Sequence, residues 1–459
     1  MEKLNLTEIA AALGTTAPIE AEITDICTDT RNLPDGCLFL ALKGTHFDGH
    51  TFAKRAVESG AAAVVTEYEI EDCPCLVVPD TRRALLRIAA YYRSKFSPIL
   101  VGVTGSVGKT TSKEMIALVL SEAFDTLKTQ GNLNNEIGLP KTLLELGSHH
   151  EAAVIEMGMS DFGEIHRLSC TTQPTIGVIT NIGFSHIENL KSQEGILKAK
   201  LEILDGMAED APLVVSGDDT FLEPLKNTLD RPVYTYGIEN ENADVRAIDI
   251  TAEDSRTWFT IIDKGKEACH VVLPCVGLHN VLNALGAYCV GRLAKIEPEK
   301  IAEALRKYKT VGFRQNIEQY GTYTLIVDCY NASPDSMKAA LHVLKDMKSS
   351  GRKAAVLGDM LELGDLSRKL HEIVGNMTLI SGADQIFCYG EQAKYIAKAA
   401  ADGGASVFHT EDKTELCSAI RAYLRPGDLI LFKASRGMHL EDCIKEIFRQ
   451  EDEQNAVLD

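Results

Sequence analysis

The chain has 459 residues, 45 % hydrophobic and 25 % charged, with a formal net charge of −19. That balance fits a folded globular protein of about three domains and excludes a disordered or fibrous one. The acidity argues against a nucleic-acid partner, whose phosphates are held mainly by Lys and Arg, although a local basic pocket for a nucleotide is compatible with it.

Residues 1–97 read as a small α/β unit. An amphipathic helix (Leu4 to Leu13) leads to a strand (Cys37 to Leu42), a helix (Phe52 to Ser59), a short strand at 62–66 and a helix (Thr81 to Phe96). Ser97-Pro98 ends it, since proline disfavours a helical residue before it. Residues 98–312 open on the apolar run Ile99 to Thr104. Further buried-type strands follow at Ala152 to Ile155, Thr175 to Thr180 and Ala211 to Val215, separated by helices, which indicates a parallel sheet covered on both faces. Shorter alternating runs at 244–250, 258–262 and 270–273 predict an antiparallel appendage, and helices at 279–295 and 298–307 close the segment. Residues 313–459 alternate strands (Tyr323 to Asp328, Lys353 to Leu357, Gln385 to Tyr389, Leu429 to Phe432) with helices near 334–348, 367–380, 391–402, 413–424 and 438–449, a Rossmann-like doubly wound pattern. The expected fold class is therefore α/β in three domains.

Twelve cysteines lie in apolar contexts such as Cys289 and Cys388, and only Cys73 and Cys75 stand close together. With no second pair to complete a zinc site, free thiols in a reducing compartment are expected. Met1 to Asn5 lacks a signal-peptide profile, and no apolar run reaches the ~18 residues that span a bilayer. A cytoplasmic chain with no membrane insertion is expected, acting as a monomer.

The strongest local signal is Gly105-Ser106-Val107-Gly108-Lys109-Thr110-Thr111, placed between an apolar strand and a helix starting near Lys109. Glycines let successive N–H groups face phosphate oxygens, Lys109 reaches the terminal phosphates and the Thr110 hydroxyl suits magnesium. Val103 stands where the usual pattern has its first glycine. By itself the loop says only that ATP or GTP binds. Glu156 stands at the carboxyl end of a strand, a natural place for a hard-metal ligand. His186 follows another strand and is read either as a ligand or as a structural hydrogen-bonding group. Lys200 sits on a helix, where a solvated charge is the ordinary expectation.

Taken together, GSVGKTT (105–111), GNLNNEIGLP (131–140), VIEMGMSDFGEI (154–165), TNIGFSHIE (180–188), KAKLEI (198–203), GLHNVLNALGA (277–287), GFRQ (312–315) and DCYNASPDSM (328–337) resemble the motifs of the Mur ligases, over essentially the whole chain. The resemblance implies ATP-dependent amide formation through an acyl phosphate on a UDP-linked muramyl peptide. Lys109 and Thr110 would then hold phosphates and one magnesium, and Glu156 and His186 would hold metal positions. Lys200 would carry a carbamate that orients a second magnesium. Asn280 and Asn283 would address the base, with His279 as a companion, and Asn135 would line the nucleotide region. Arg314 would reach the γ-phosphate, and Asp328, Tyr330 and Asn331 would close over ribose and adenine as the third domain swings in.

Thr28-Asp29-Thr30-Arg31, the run Gly36 to Gly44 and Phe47-Asp48-Gly49-His50 resemble the UDP-sugar-binding domain of the third and fourth amino-acid-adding members. Thr30, Arg31, Gly44, Asp48 and His50 are the implied contacts there. A D-N-P-R motif of the third-residue-adding members is absent. The runs 356–364 and 433–438 resemble members that add D-alanyl-D-alanine to UDP-N-acetylmuramoyl-tripeptide, with Lys433, Ser435 and Arg436 implied at the dipeptide and Ala434 in place of the usual glycine. The alternatives are addition of diaminopimelate or lysine as third residue, or a P-loop switch that hydrolyses ATP without ligation.

Overall fold

The computed structural model describes residues 1–44, 47–253, 255–312 and 314–455. Three sheets organise it, apart from a two-stranded pairing of Leu4–Asn5 with Glu22–Ile23. The first is a four-stranded parallel sheet in the order Ile26–Cys27, Leu38–Leu40, Ala63–Thr66, Cys75–Val77. The helix Thr81–Arg93 starts on the Asp80 side chain, which accepts from the N–H groups of Arg82 and Arg83. It carries the unit against the next one: the Tyr92 hydroxyl donates to Leu146 O at 2.5 Å and Arg93 Nε to Thr172 O at 2.7 Å.

The second sheet has nine strands. From one edge they run Lys266–Leu273, Arg256–Asp263, Val245–Glu253, Val233–Gly237, Leu213–Ser216, Ile176–Ile179, Ile99–Thr104, Ala152–Glu156 and Thr126–Lys128. The predicted antiparallel appendage is present as one edge of this sheet. Its three strands are continuous with the parallel ones, because Val245 and Arg246 pair in parallel with Tyr236 and Gly237 before the antiparallel hairpins begin. Ile99–Thr104 lies between two parallel neighbours with Leu100, Val101 and Val103 fully buried, each such side chain contributing roughly 1.5–3 kcal/mol on burial. Buried Val103 also explains the missing first glycine of the loop motif: position 103 is still strand, and the chain turns only at Gly105.

The third sheet has the order Asn316–Tyr320, Tyr323–Asp328, Leu429–Lys433, Lys353–Gly358, Gln385–Tyr389, Val407–Thr410, parallel except for its first strand. Ligands of parallel sheets sit beyond the carboxyl ends of the strands. Here the Ile99–Thr104 end of one sheet and the Tyr323–Asp328 end of the other line the same cavity. All twelve cysteines are free, and no helix among the described residues is long and apolar enough to cross a membrane.

Candidate active site

The cavity has a volume of about 730 Å³, the size of a small-molecule site. Its floor is the loop 105–111. Gly105 has φ +150°, and a Cβ there would lie 1.8 Å from Thr180 Oγ1, so only glycine fits. The helix Lys109–Leu120 begins at Gly108 (φ +82°) with no side-chain cap, which leaves its first N–H groups and its dipole to an anion. Two residues that the sequence reading passed over brace the loop. Asn181 Oδ1 accepts from the N–H groups of Ser106 (3.1 Å) and Val107 (2.9 Å), and the Thr180 hydroxyl donates to Val107 O at 2.6 Å. Both stand in the motif 180–188, so their place was visible there although their role was not.

Lys109 Nζ folds back to donate to Gly105 O (2.7 Å) and Ser106 O (3.3 Å). Burial lowers its pKa to about 8, with the Glu156 carboxylate pulling the other way and the Arg314 guanidinium adding to the fall. Thr110 Oγ1 donates to Glu156 Oε2 at 2.9 Å, and Asn134 Nδ2 donates to Glu156 Oε1 at 2.8 Å. Glu156 is 1 % exposed, with the buried ammonium of Lys113 3.9 Å away. A hydroxyl beside a fixed carboxylate is a hard oxygen-donor set, and it fits magnesium.

His186 lines the cavity from a left-handed backbone (φ +62°) with Nδ1 2.7 Å from Glu362 Oε2, a residue of the third sheet's side. Lys200 is 2 % exposed and does not line the cavity, yet the charge of Lys109 reaches it. Burial first, and that charge second, hold its pKa well below the usual lysine value.

Across the cavity Arg314 lies 4.1 Å over the Tyr330 ring. Asp328 Oδ2 pairs with buried Lys433 Nζ at 2.7 Å, and Lys433 also donates to Asn331 O. Lys433 thus lines the same cavity as Lys109 and Glu156, beside Asp328. Asn135 lines the cavity with its carbonyl committed to the N–H groups of Ile137 and Gly138. Asn283 Oδ1 accepts from Ser112 at 3.0 Å and backs Gly108, so it supports the phosphate loop; Asn280 lies one turn earlier beside Gln315. Phe313 of the 312–315 motif lies outside the described residues.

The five expected UDP-sugar contacts do not line this cavity. Arg31 is paired with Asp29 at 2.6 Å, and Gly44 N–H donates to Phe47 O. His50 is a correction: its Nδ1 meets Asp48 Oδ1 at 2.6 Å and its Nε2 accepts from the Glu67 N–H at 2.9 Å, so the ring ties its loop to the end of the strand Ala63–Thr66 and has no nitrogen left for a ligand. Ser435 Oγ accepts from the Leu361 N–H and Arg436 pairs with Glu441. Arg82, from the first unit, does line the cavity, a cation that no motif flagged.

Against known proteins, the Mur ligase middle domain matches residues 103–291, the Mur ligase glutamate ligase domain matches 314–436, and the Mur ligase family catalytic domain matches 22–93. The UDP-N-acetylmuramoyl-tripeptide–D-alanyl-D-alanine ligase of Bacillus subtilis (strain 168) is 42 % identical over 432 residues, 93 % of each chain. A crystal structure of MurF from Acinetobacter baumannii superposes with a TM-score of 0.90 at 31 % identity, covering 98 % of this chain and 99 % of that one. The MurF ligase of Thermotoga maritima in complex with ADP gives a TM-score of 0.85 at 28 % identity, covering 94 % of this chain and 98 % of that one. With three consecutive family domains and full-length relatives at this identity, the chain belongs to the Mur ligase family.

Proposed function

We propose that this chain uses ATP to join D-alanyl-D-alanine to the terminal carboxylate of UDP-N-acetylmuramoyl-tripeptide, releasing ADP and phosphate. The observation that carries the reading is the convergence, in one cavity, of the phosphate loop, the Thr110–Glu156 oxygen pair and Arg314 with Asp328 from the third sheet. In outline, a carboxylate oxygen of the tripeptide attacks the γ-phosphorus and the bond to the β-phosphate oxygen breaks. The dipeptide amine then attacks the acyl carbon, loses a proton, and phosphate leaves with the C–O bond.

The 105–111 backbone and Lys109 hold the phosphates, and Arg314 offsets charge on the transferred group. Thr110 and Glu156 hold magnesium, which when bound screens the repulsion between two anions. The neutral amine of Lys200 would add to carbon dioxide, losing a proton to solvent, and the resulting carbamate would, with His186, hold a second magnesium. Arg82 offers a cation to the muramyl peptide where the first unit meets the cavity. Residues 1–97 hold the UDP-sugar, with Thr30, Arg31, Gly44 and Asp48 at that end. Residues 98–312 carry ATP, and residues 313–459 close over it with Asp328, Tyr330 and Asn331 and receive the dipeptide near Ser435 and Arg436. We place its action in the cytoplasm, as a monomer; the twelve free thiols support a reducing compartment.

The test supplies ATP, UDP-muramyl di- and tripeptides, and D-alanyl-D-alanine, diaminopimelate or lysine in every combination, measuring product mass and phosphate release. Phosphate is expected in step with a pentapeptide product only for the tripeptide and D-alanyl-D-alanine. A diaminopimelate or lysine adduct on the dipeptide would move the chain to the third-residue-adding members. Phosphate release indifferent to the muramyl substrate would make it a switch.

A further inference from the structure

Lys113 is a fully buried cation with no part in the ATP scheme. It stands on the helix Lys109–Leu120, one turn beyond Lys109, and does not line the cavity. Its ammonium donates to Thr129 O at 2.7 Å and lies 3.0 Å from Glu114 Oε1 and 3.9 Å from Glu156 Oε2. It is the one cation in ion-pair contact with Glu156 among the described residues. Thr129, itself fully buried, registers both partners. Its carbonyl takes the Lys113 ammonium, its hydroxyl oxygen accepts the Glu156 N–H at 3.0 Å, and its own N–H donates to Val154 O. Glu114 is held in turn by Lys128, from the strand Thr126–Lys128. Anchored at Thr129 and Glu114, the ammonium stays at ion-pair distance from the same carboxylate oxygen that the Thr110 hydroxyl reaches at 2.9 Å.

Stability does not account for this arrangement, because exchanging a buried ion pair for apolar groups of similar volume is often neutral or stabilising. What it changes is the charge at Glu156. The two lysines and two glutamates of the network cancel one another. A divalent cation arriving alone meets a carboxylate whose attraction is offset by Lys113, at short range and inside a weakly screening wall. A cation arriving with phosphates brings negative charge that Lys113 does not offset.

We propose that Lys113 is a positioning residue that fixes the Glu156 carboxylate and cancels its charge, so that a divalent cation is retained at Thr110 and Glu156 only together with nucleotide phosphates. Lys113 reaches the cavity only through Glu156, and it acts by making metal and nucleotide strengthen each other's binding, a coupling that is equal in both directions. This deepens the ATP and magnesium reading of the cavity and rests on it.

The test titrates the full-length protein with Mn2+, with and without ADP, following the electron paramagnetic resonance signal of the free ion and correcting for Mn2+ held by ADP in solution. Wild type is expected to bind Mn2+ at least about tenfold more tightly with ADP than without it. Lys113→Met removes the cation and should tighten nucleotide-free binding by about tenfold or more. Adding Glu156→Gln to that variant should erase the gain. Glu114→Gln removes the anion that holds Lys113 away from Glu156, and should weaken Mn2+ binding with ADP by about threefold or more. A role in packing alone would not move the two variants in opposite directions. The proposal is overturned if wild type binds Mn2+ equally well with and without ADP, if Lys113→Met leaves nucleotide-free binding unchanged or weaker, if the gain survives Glu156→Gln, or if Glu114→Gln leaves binding unchanged or tighter. Should Lys113→Met fail to fold by circular dichroism, Glu114→Gln and the wild-type pair of titrations still decide. Loss of the underlying reading has a different signature, in which wild type binds no ADP, or retains no Mn2+ even with ADP present.

Discussion

His186 Nδ1 lies 2.7 Å from Glu362 Oε2, and the pair ties the nine-stranded sheet's side of the cavity to the third sheet's side. The Glu188 N–H also reaches Glu362 O, at 3.4 Å. The hydrogen bond to His186 is the main reason that the Glu362 carboxyl titrates below its ordinary 4.5, with burial opposing it. A depressed carboxyl pKa contributes stability that is fully present above the unfolded value and is lost as pH falls through the folded one. Glu362 is largely exposed, so the pair is worth only about 0.2–1 kcal/mol. Glu362→Gln should therefore lower the denaturant midpoint slightly at pH 7, with the difference from wild type closing once the pH is well below 4.5. Denaturant titrations of both proteins across that range check it, and a difference that persists in acid counts against the pair.

Lys109 gives a second pH signature. In the free protein burial brings its pKa to about 8, so near that pH a fraction of the molecules hold a neutral amine over the loop. Phosphates favour the charged form and pull the proton back on. Nucleotide binding near pH 8 should take up a proton, and the affinity should fall as pH rises beyond it. Calorimetry in buffers of different ionisation enthalpy reads the uptake directly. Lys109→Met should abolish both the uptake and the turnover; ligation at the wild-type rate would remove Lys109 from the phosphate cradle.

Much of this site was visible in the chain because strand-to-loop transitions leave strong local marks. The run Ile99 to Thr104 with the glycines after it located the phosphate loop, and the carboxyl end of the Ala152–Glu156 strand located Glu156. Partnerships made by distant segments left no such mark. Nothing around Glu362 indicates that it meets His186, and nothing around Lys433 indicates that it meets Asp328. His50 looked like a ligand because it stood in a motif, but both its ring nitrogens are engaged, one by the neighbouring Asp48 and the other by the N–H of distant Glu67, which leaves no local mark. Strands of two to four residues, such as Ile26–Cys27 and Val407–Thr410, are too short to show a period of two and are held by their neighbours in the sheet.

Gly183 stands at a close approach between the sides of the two larger sheets. A Cβ there would lie 2.1 Å from Asp335 Oδ2 and 3.3 Å from the Ser106 Cβ. Asp335 Oδ2 accepts from the next N–H, that of Phe184, at 3.1 Å, while Gly183 N–H donates to Ser106 Oγ at 2.9 Å. Gly183→Ala has no flexible chain end to push aside, because both neighbours are short and hydrogen-bonded. The variant should fold, with a loss of order 1–3 kcal/mol from local overpacking. Its turnover should drop at least about tenfold, because a misplacement of about 1 Å at reacting groups costs that much or more. Steady-state ligation measured beside the thermal midpoint separates the two effects, and wild-type turnover in a folded variant would mean that the joint does not align the reacting groups.

Lys200 invites the most specific chemical test. On the proposed reading, a lysine 2 % exposed, whose pKa is held well below the usual value by burial and by Lys109, would be the reactive partner for carbon dioxide, since only the free amine has a lone pair to give. The carbamate would place an anion within reach of the Lys109 charge, which favours it. Protein equilibrated with carbon-13 bicarbonate should show one carbamate resonance that Lys200→Ala lacks. The variant should lose about 100-fold or more in turnover, the range seen when a single charge-stabilising group is removed, while it still binds ATP through the 105–111 loop. Formate or acetate should restore part of the activity by supplying a carboxylate to the space that the side chain leaves. Full turnover in the untreated variant would show that the lysine is needed for packing alone.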